Sequence, residues 1–216
     1  MAQLGASTVA ESQATRSRSD GDVIPKLIQI GSDPKCIKKV QAMAAKTMKA
    51  IGYKYPKKAC AATLSHFLNE AGINVPVTTG AQNLADRLRV NRHWDRIKVG
   101  KQQPGDVGVC YSIANDVPGA DHVYLVVERK DSDLMIIADN QAQGKTHTRY
   151  ASGKGGKTPT EYFLRAPQAS IFGEEPDEEN DEDSWPDEDS NDLPEPFMDD
   201  GSPRLMDEDG SPRLID

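Results

Sequence analysis

The apolar residues of this 216-residue chain change their spacing once, at Pro104-Gly105-Asp106. Before this turn-forming triplet they recur every three or four residues, as in helices that bury one face. After it they form short aliphatic or β-branched runs, as in strands. Helices first and strands second are typical of an α+β domain with an antiparallel sheet, and they argue against a parallel α/β fold.

The first half predicts three helices. Asp33-Pro34 is an N-cap and first-turn signal, and the apolar stripe that follows continues until Gly52. A second helix begins at Cys60 after the Tyr55-Pro56 break and ends at Gly72, with the thiol on its apolar face. Thr79 and Gln82 form a capping box, which predicts a short third helix.

The second half predicts five strands. An Asp-Ser-Asp link at 131–133 is short enough to join the second and third of them as an antiparallel hairpin. The predicted strands are 107–111, 123–128, 134–138, 146–150 and 162–164.

Charge and composition divide the chain into three parts. Residues 1–22 are rich in Ser, Ala, Gln and Thr, and residues 173–216 are dominated by acids, so both segments are predicted to be disordered. The folded domain is then 23–172. The tail holds 19 of the 34 acidic residues and 2 of the 26 basic ones, so the first 172 residues carry 15 acids and 24 bases, a net charge of +9. Such a charge fits either a merely solvated surface or attraction to an anionic substrate such as cell wall, with nucleic acid as the weaker alternative.

The acidic tail contains a near-repeat built on Gly-Ser-Pro-Arg-Leu, at 201–205 and 210–214. Two such short copies cannot build a solenoid. They indicate either a duplicated recognition motif, through which a delivery or secretion partner binds, or simple slippage in a disordered segment.

No run of apolar residues has the length of a signal peptide or of a membrane span. We therefore expect a protein made in the cytoplasm, without a membrane role, that reaches the cell wall after lysis or through a dedicated export route.

Cysteine chemistry gives the first functional hypothesis. The three cysteines are odd in number and lack a C-x-x-C pair, which argues against a disulfide framework or a zinc site. Cys36 and Cys110 follow apolar patterns and are predicted to lie in the core. Cys60 opens a helix, where unpaired N–H groups and the helix dipole favour a thiolate.

His122 is the predicted general base. It opens an aliphatic strand, from which a rigid element can present its ring to substrate. The following hairpin brings Asp139 and Asn140 back beside it, and either side chain can hold the imidazole in the required tautomer. His66 is assigned to a surface or packing position, and His93 to loop packing with substrate contact as the weaker alternative. His147 would lie near the site only if the fourth strand pairs beside the third.

Four segments between residues 30 and 165 resemble, in order, the CHAP and NlpC/P60 group of papain-like cell-wall hydrolases. They are Cys60-Ala-Ala-Thr-Leu-Ser-His-Phe-Leu-Asn-Glu-Ala-Gly72, Gln103-Pro-Gly-Asp-Val107, His122-Val-Tyr-Leu-Val-Val127 and Asp139-Asn140. The resemblance implies a papain-like core with N-terminal helices packed on an antiparallel sheet. It also implies a Cys60 nucleophile, no cofactor, and endopeptidase or amidase activity on peptidoglycan. Ala59-Cys60-Ala61 replaces the Asp-Cys-Ser-Gly pattern of many NlpC/P60 members, so the wider group is better supported than either subfamily.

Two other functions fit the same residues. One is a papain-like toxin that acts as a protease or deamidase on a protein substrate. The other is a catalytically silent binding module that is docked through its acidic tail.

Overall fold

The computed structural model describes residues 19–111 and 119–168. The predictions for residues 1–18 and for the tail at 173–216 lie outside this part of the chain.

In the described part of the chain, four α-helices precede all of the strands: α1 (Ile24–Ser32), α2 (Pro34–Ala50), α3 (Cys60–Ala71) and α4 (Ala81–Asp86). The predicted start of α2 is confirmed, because the Asp33 carboxylate accepts a hydrogen bond from the Lys35 N–H at 2.7 Å. The predicted end of α3 is also confirmed. Gly72 stops that helix in a left-handed conformation (φ 106°), which favours glycine.

Among residues 19–111 and 119–168, six strands form one sheet in which every neighbouring pair is antiparallel. They are β1 (Asp95–Ile97), β2 (Val107–Tyr111), β3 (Ala120–Arg129), β4 (Leu134–Ala138), β5 (His147–Tyr150) and β6 (Thr160–Arg165), in the spatial order β1-β6-β2-β3-β4-β5. The α+β class with an antiparallel sheet is therefore confirmed. The two central strands, β2 and β3, pair so that Cys110 lies opposite His122.

The core lies between the sheet and the helices. Helices α1, α3 and α4 all contact β3, and α2 packs against α3. Ten of the twelve residues of α3 are buried, so this helix is enclosed on almost every face. A nearly buried helix has little freedom to shift, and it fixes Cys60 relative to the central strand.

Several predicted boundaries were wrong. Thr79 is not the N-cap of α4; Gly80 occupies that position without a side-chain cap, and the helix continues into a π-helical turn at Arg87–Asn91. Strand β3 begins at Ala120, so His122 is its third residue and does not open it. Helix α1 and strand β1 were not predicted at all.

The folded region also begins earlier than the sequence predicted. Residues 19–22 were assigned to the disordered N-terminal segment, but Gly21–Val23 forms a 3-10 helix. Asp20 pairs with Arg92 and accepts a hydrogen bond from the Trp94 indole at 2.9 Å. These polar contacts anchor a segment whose composition alone resembles disordered chain.

Within the two described stretches, none of the helices combines the length and apolarity that crossing a bilayer requires.

Candidate active site

Cys60 lies at the first turn of α3, and its residue is 7% exposed. Its thiol faces the carbonyl oxygen of Asp121 at 3.7 Å, so the sulfur lies beside the backbone of the residue before His122. The N–H groups of the first helical turn have no partner within the helix, and they provide a positive local potential at the thiol.

The imidazole of His122 lies between Cys60 and Asp139. Its side chain is 13% exposed, and Nε2 lies 3.4 Å from Asp139 Oδ2. Because Nε2 faces the carboxylate, Nδ1 is the ring nitrogen left to interact with the thiol. The predicted nucleophile, base and orienting residue therefore meet in one place.

The environment of His122 favours the charged imidazolium. Burial alone lowers the pKa of His122, but hydrogen bonding and charge interactions with Asp139 and Cys60 outweigh it and raise the pKa to about 9. At 3.4 Å the contact between Nε2 and Oδ2 is longer than a well-formed hydrogen bond, and neither atom has a hydrogen-bond partner. We therefore attribute the raised pKa of His122 to its interactions with Cys60 and to the charge of the Asp139 carboxylate, rather than to a formed hydrogen bond with that carboxylate.

The Asp139 carboxylate is completely buried and is held from two further directions. Its Oδ1 accepts a hydrogen bond from the Gln141 N–H at 2.7 Å and lies 3.0 Å from His147 Nε2. Burial raises the pKa of Asp139, but the contacts with His122, His147 and Gln141 outweigh it and hold the pKa well below its usual range. The carboxylate is thus an anion whose two oxygens face two different histidines.

His147 lies at the site, a position that the sequence allowed only if the fourth predicted strand pairs beside the third. Its position on β5 places it opposite Ile137 of β4, two residues before Asp139. Side chains two residues apart on a strand share a face, so this register brings His147 to the buried carboxylate. The only sequence signal was a histidine at the start of a predicted strand, which becomes informative once the partner of that strand is known.

Asn140, the alternative third residue, makes a different contact. Its side-chain amide donates to the Pro56 carbonyl at 2.8 Å, and it lines the cleft beside Cys60. The structure therefore brings Asp139 to the imidazole and uses Asn140 to tie the 139–141 turn to the segment before α3.

Gln41 of α2 fixes this turn from behind. Its buried amide donates to the carbonyl oxygens of Asp139 and Ala142, both at 2.9 Å, and accepts from the Gly144 N–H at 2.8 Å. Three hydrogen bonds from one rigid helix leave the turn that carries Asp139 little freedom.

An open cleft of about 680 Å³ leads to Cys60 and His122. Its other wall comes from the start of α4, where Gln82 accepts hydrogen bonds from the Ala120 N–H at 2.7 Å and from the Tyr111 hydroxyl at 3.2 Å. The lining is rich in amides, with Gln82, Asn83, Asn140 and Gln141, and Lys58 lies at its edge. Such a surface offers donors and acceptors to the backbone of a bound peptide.

The remaining predicted cysteines and histidines lie elsewhere. Cys110 is buried against Arg149, whose guanidinium donates to its sulfur at 3.1 Å, as expected for a core position. Cys36 is only partly buried and lies 3.6 Å from an Asp33 oxygen. His66 contacts Thr47 at 3.1 Å.

In the described parts of the chain, no group of three or more His, Cys, Asp or Glu side chains is arranged to hold a metal ion.

Comparison of the chain with protein-family models, curated proteins and solved structures finds no match in any of the three.

Proposed function

We propose that this chain is a papain-like cysteine hydrolase that cleaves peptide or amide bonds in peptidoglycan, with Cys60 as nucleophile and His122 as general base. The observation that carries this proposal is the meeting of Cys60, His122 and Asp139 at the end of an open cleft. A thiol, an imidazole and a carboxylate in this order form a nucleophile, a base and an orienting group.

In the proposed reaction, His122 takes the thiol proton and the Cys60 thiolate attacks the substrate carbonyl carbon. In this scheme the backbone N–H groups at the start of α3 stabilise the oxyanion of the tetrahedral intermediate. The C–N bond then breaks, and the imidazolium donates its proton to the leaving amine. A water molecule, deprotonated by His122, hydrolyses the thioester and restores the thiol.

The environment of Asp139 supports this cycle. A buried carboxylate stabilises the imidazolium that forms when the thiolate is generated, and the raised pKa of His122, about 9, is consistent with that stabilisation. Apo hydrogen bonds in active sites are often long, so we expect the 3.4 Å contact to shorten when substrate excludes water from the cleft.

The choice of peptidoglycan rests on two supports. One is the resemblance of four ordered segments to papain-like cell-wall hydrolases. The other is the net charge of +9 on the first 172 residues, which attracts a polyanionic wall. Both endopeptidase and amidase activity fit this site.

The test is release of soluble dye from dye-labelled sacculi by the full chain, with Cys60→Ala as the matched control. Release by the wild type alone supports the proposal. Binding without release would favour a silent module, and inert sacculi beside a cleaved or deamidated protein would favour a toxin.

A further inference from the structure

A second cavity, of about 460 Å³, adjoins the catalytic cleft. Asn140 and Gln141 line both cavities, so the turn that carries Asp139 lies between them. A third cavity, of about 470 Å³, shares Ala45 and Tyr55 with the second and continues along α2. We call the second and third cavities together the α2 groove; its walls include Lys38, Ala42, Ala45, Lys49, Tyr53 and Tyr55.

The charged side chains of the α2 groove are all cationic. Lys38 lines the second cavity, and Lys49 and Lys54 line the third. Within the described residues, no aspartate or glutamate lines either cavity. Uncompensated ammonium groups along a concave surface favour an anionic ligand.

Lys38 is held against the wall of the groove. Its stem crosses Gly144 so closely that a Cβ there would lie 2.7 Å from Lys38 Cε. The backbone of Gly144 (φ +64°) is fixed in turn by its hydrogen bond to buried Gln41. Because the stem packs along this glycine, its ammonium group is presented at the groove with less entropy to lose on binding than a free surface lysine.

The uncharged residues of the α2 groove limit the size and polarity of a ligand that binds beside its lysines. Ala42 and Ala45 present only methyl groups, and Tyr55 with Pro56 adds an apolar edge. A chain with small side chains and free carboxylates matches this combination, whereas bulky or cationic side chains do not.

We infer that the α2 groove is a second substrate subsite, which binds a stretch of the substrate peptide with small side chains and free carboxylates while the scissile bond lies at Cys60. This inference rests on the proposed function for the identity of the substrate. What the inference adds is the part of the protein surface that selects this substrate. The enzyme then prefers a long acidic substrate to a short neutral one with the same scissile bond.

The test measures binding in the Cys60→Ala background, so that hydrolysis does not interfere. The probes are purified sacculi freed of attached polymers, and the same sacculi after carbodiimide amidation of their carboxylates with ammonia. The groove variant carries Lys38→Ala and Lys49→Ala. The matched control carries Lys26→Ala and Lys101→Ala, which remove the same formal charge from exposed positions outside the groove.

At low salt the groove variant is expected to bind native sacculi about three- to tenfold more weakly than its parent. The control variant is expected to lose less, and amidated sacculi should bind parent and groove variant alike. Equal losses in both double variants, or a groove effect that survives amidation, would overturn the inference. If the wild type releases no fragments but the lysine effect is present, the proposed function is wrong, and the groove stands only as a binding site for carboxylate-bearing peptide, not as a substrate subsite.

Discussion

His147 Nε2 lies 3.0 Å from Asp139 Oδ1. The other oxygen of that carboxylate faces His122, so one buried anion connects two histidines from different strands. In the proposed mechanism His147 is a positioning residue, because it contacts the carboxylate that is proposed to orient His122 and does not itself line the cleft.

Replacing His147 with Ala should lower kcat by about tenfold or more, because hydrogen bonds to charged groups are among the stronger ones in proteins. KM should change little, since His147 does not line the cleft. His147→Gln, whose amide can still donate to Oδ1, should recover most of the rate. Steady-state kinetics of both variants check this, and equal losses in the two would mean that packing alone matters.

The three cysteines should differ sharply. Cys60→Ala and Cys60→Ser should lower the rate by about 10³ or more while leaving the fold intact, because they remove the nucleophile with little change in volume. Cys110→Ser should lower the unfolding midpoint instead, since the thiol is buried against Arg149. Cys36→Ser should have the mildest effect on both. Hydrolysis rates and thermal unfolding measured on all four variants give the comparison; full activity in Cys60→Ala would refute the assignment.

Asp139 and Asn140 should be unequal. Asp139→Ala removes the anion that faces His122 and should mainly lower kcat, as expected for a group that acts on the base. Asn140→Ala loses the bond to the Pro56 carbonyl and a part of the cleft wall, so it should mainly raise KM. Similar, mild effects on kcat from both substitutions would place the orienting group elsewhere.

Stability should depend on pH through His122. Its folded pKa of about 9 lies above the ordinary value of 6.5, so the folded state binds this proton more tightly than the unfolded state does. The contribution of protonated His122 to the stability of the folded state is complete below pH 6.5 and is lost as pH rises through about 9. The unfolding midpoint should therefore fall across this interval, and the fall should be smaller in His122→Ala. Parallel curves for the two proteins would contradict the raised pKa.

The parts of the fold that local signals mark were predictable from the sequence. Asp33 and Gly72 mark the limits of two helices through their own backbone chemistry, and the runs of β2 to β4 read as strands. Helix α1 was missed because Pro25 and Gly31 look like helix breakers. Pro25 lies in its first turn, where no N–H is needed, and a Cβ on Gly31 would lie 2.6 Å from the Leu125 side chain.

The remaining features depend on tertiary pairing. Strand β1 has only three residues, two of them charged, and it exists through its pairing with β6. The site was predictable as far as Cys60, His122 and the pair Asp139 and Asn140, since helix start, strand and hairpin follow from local pattern; the choice between the last two needed the structure. The place of His147 in the site was not predictable, because it depends on the register between β4 and β5, which periodicity does not specify.

The most direct test of the central claim is mass spectrometry of the soluble fragments released from purified sacculi by the wild type, Cys60→Ala, His122→Ala and the double variant. We expect the wild type to release fragments with new amine termini at one type of bond. The three variants should release almost none, and the double variant should be no worse than either single one, because nucleophile and base act as a unit. Intact sacculi with the wild type, or the same fragments from Cys60→Ala, would contradict a Cys60-dependent peptidoglycan hydrolase.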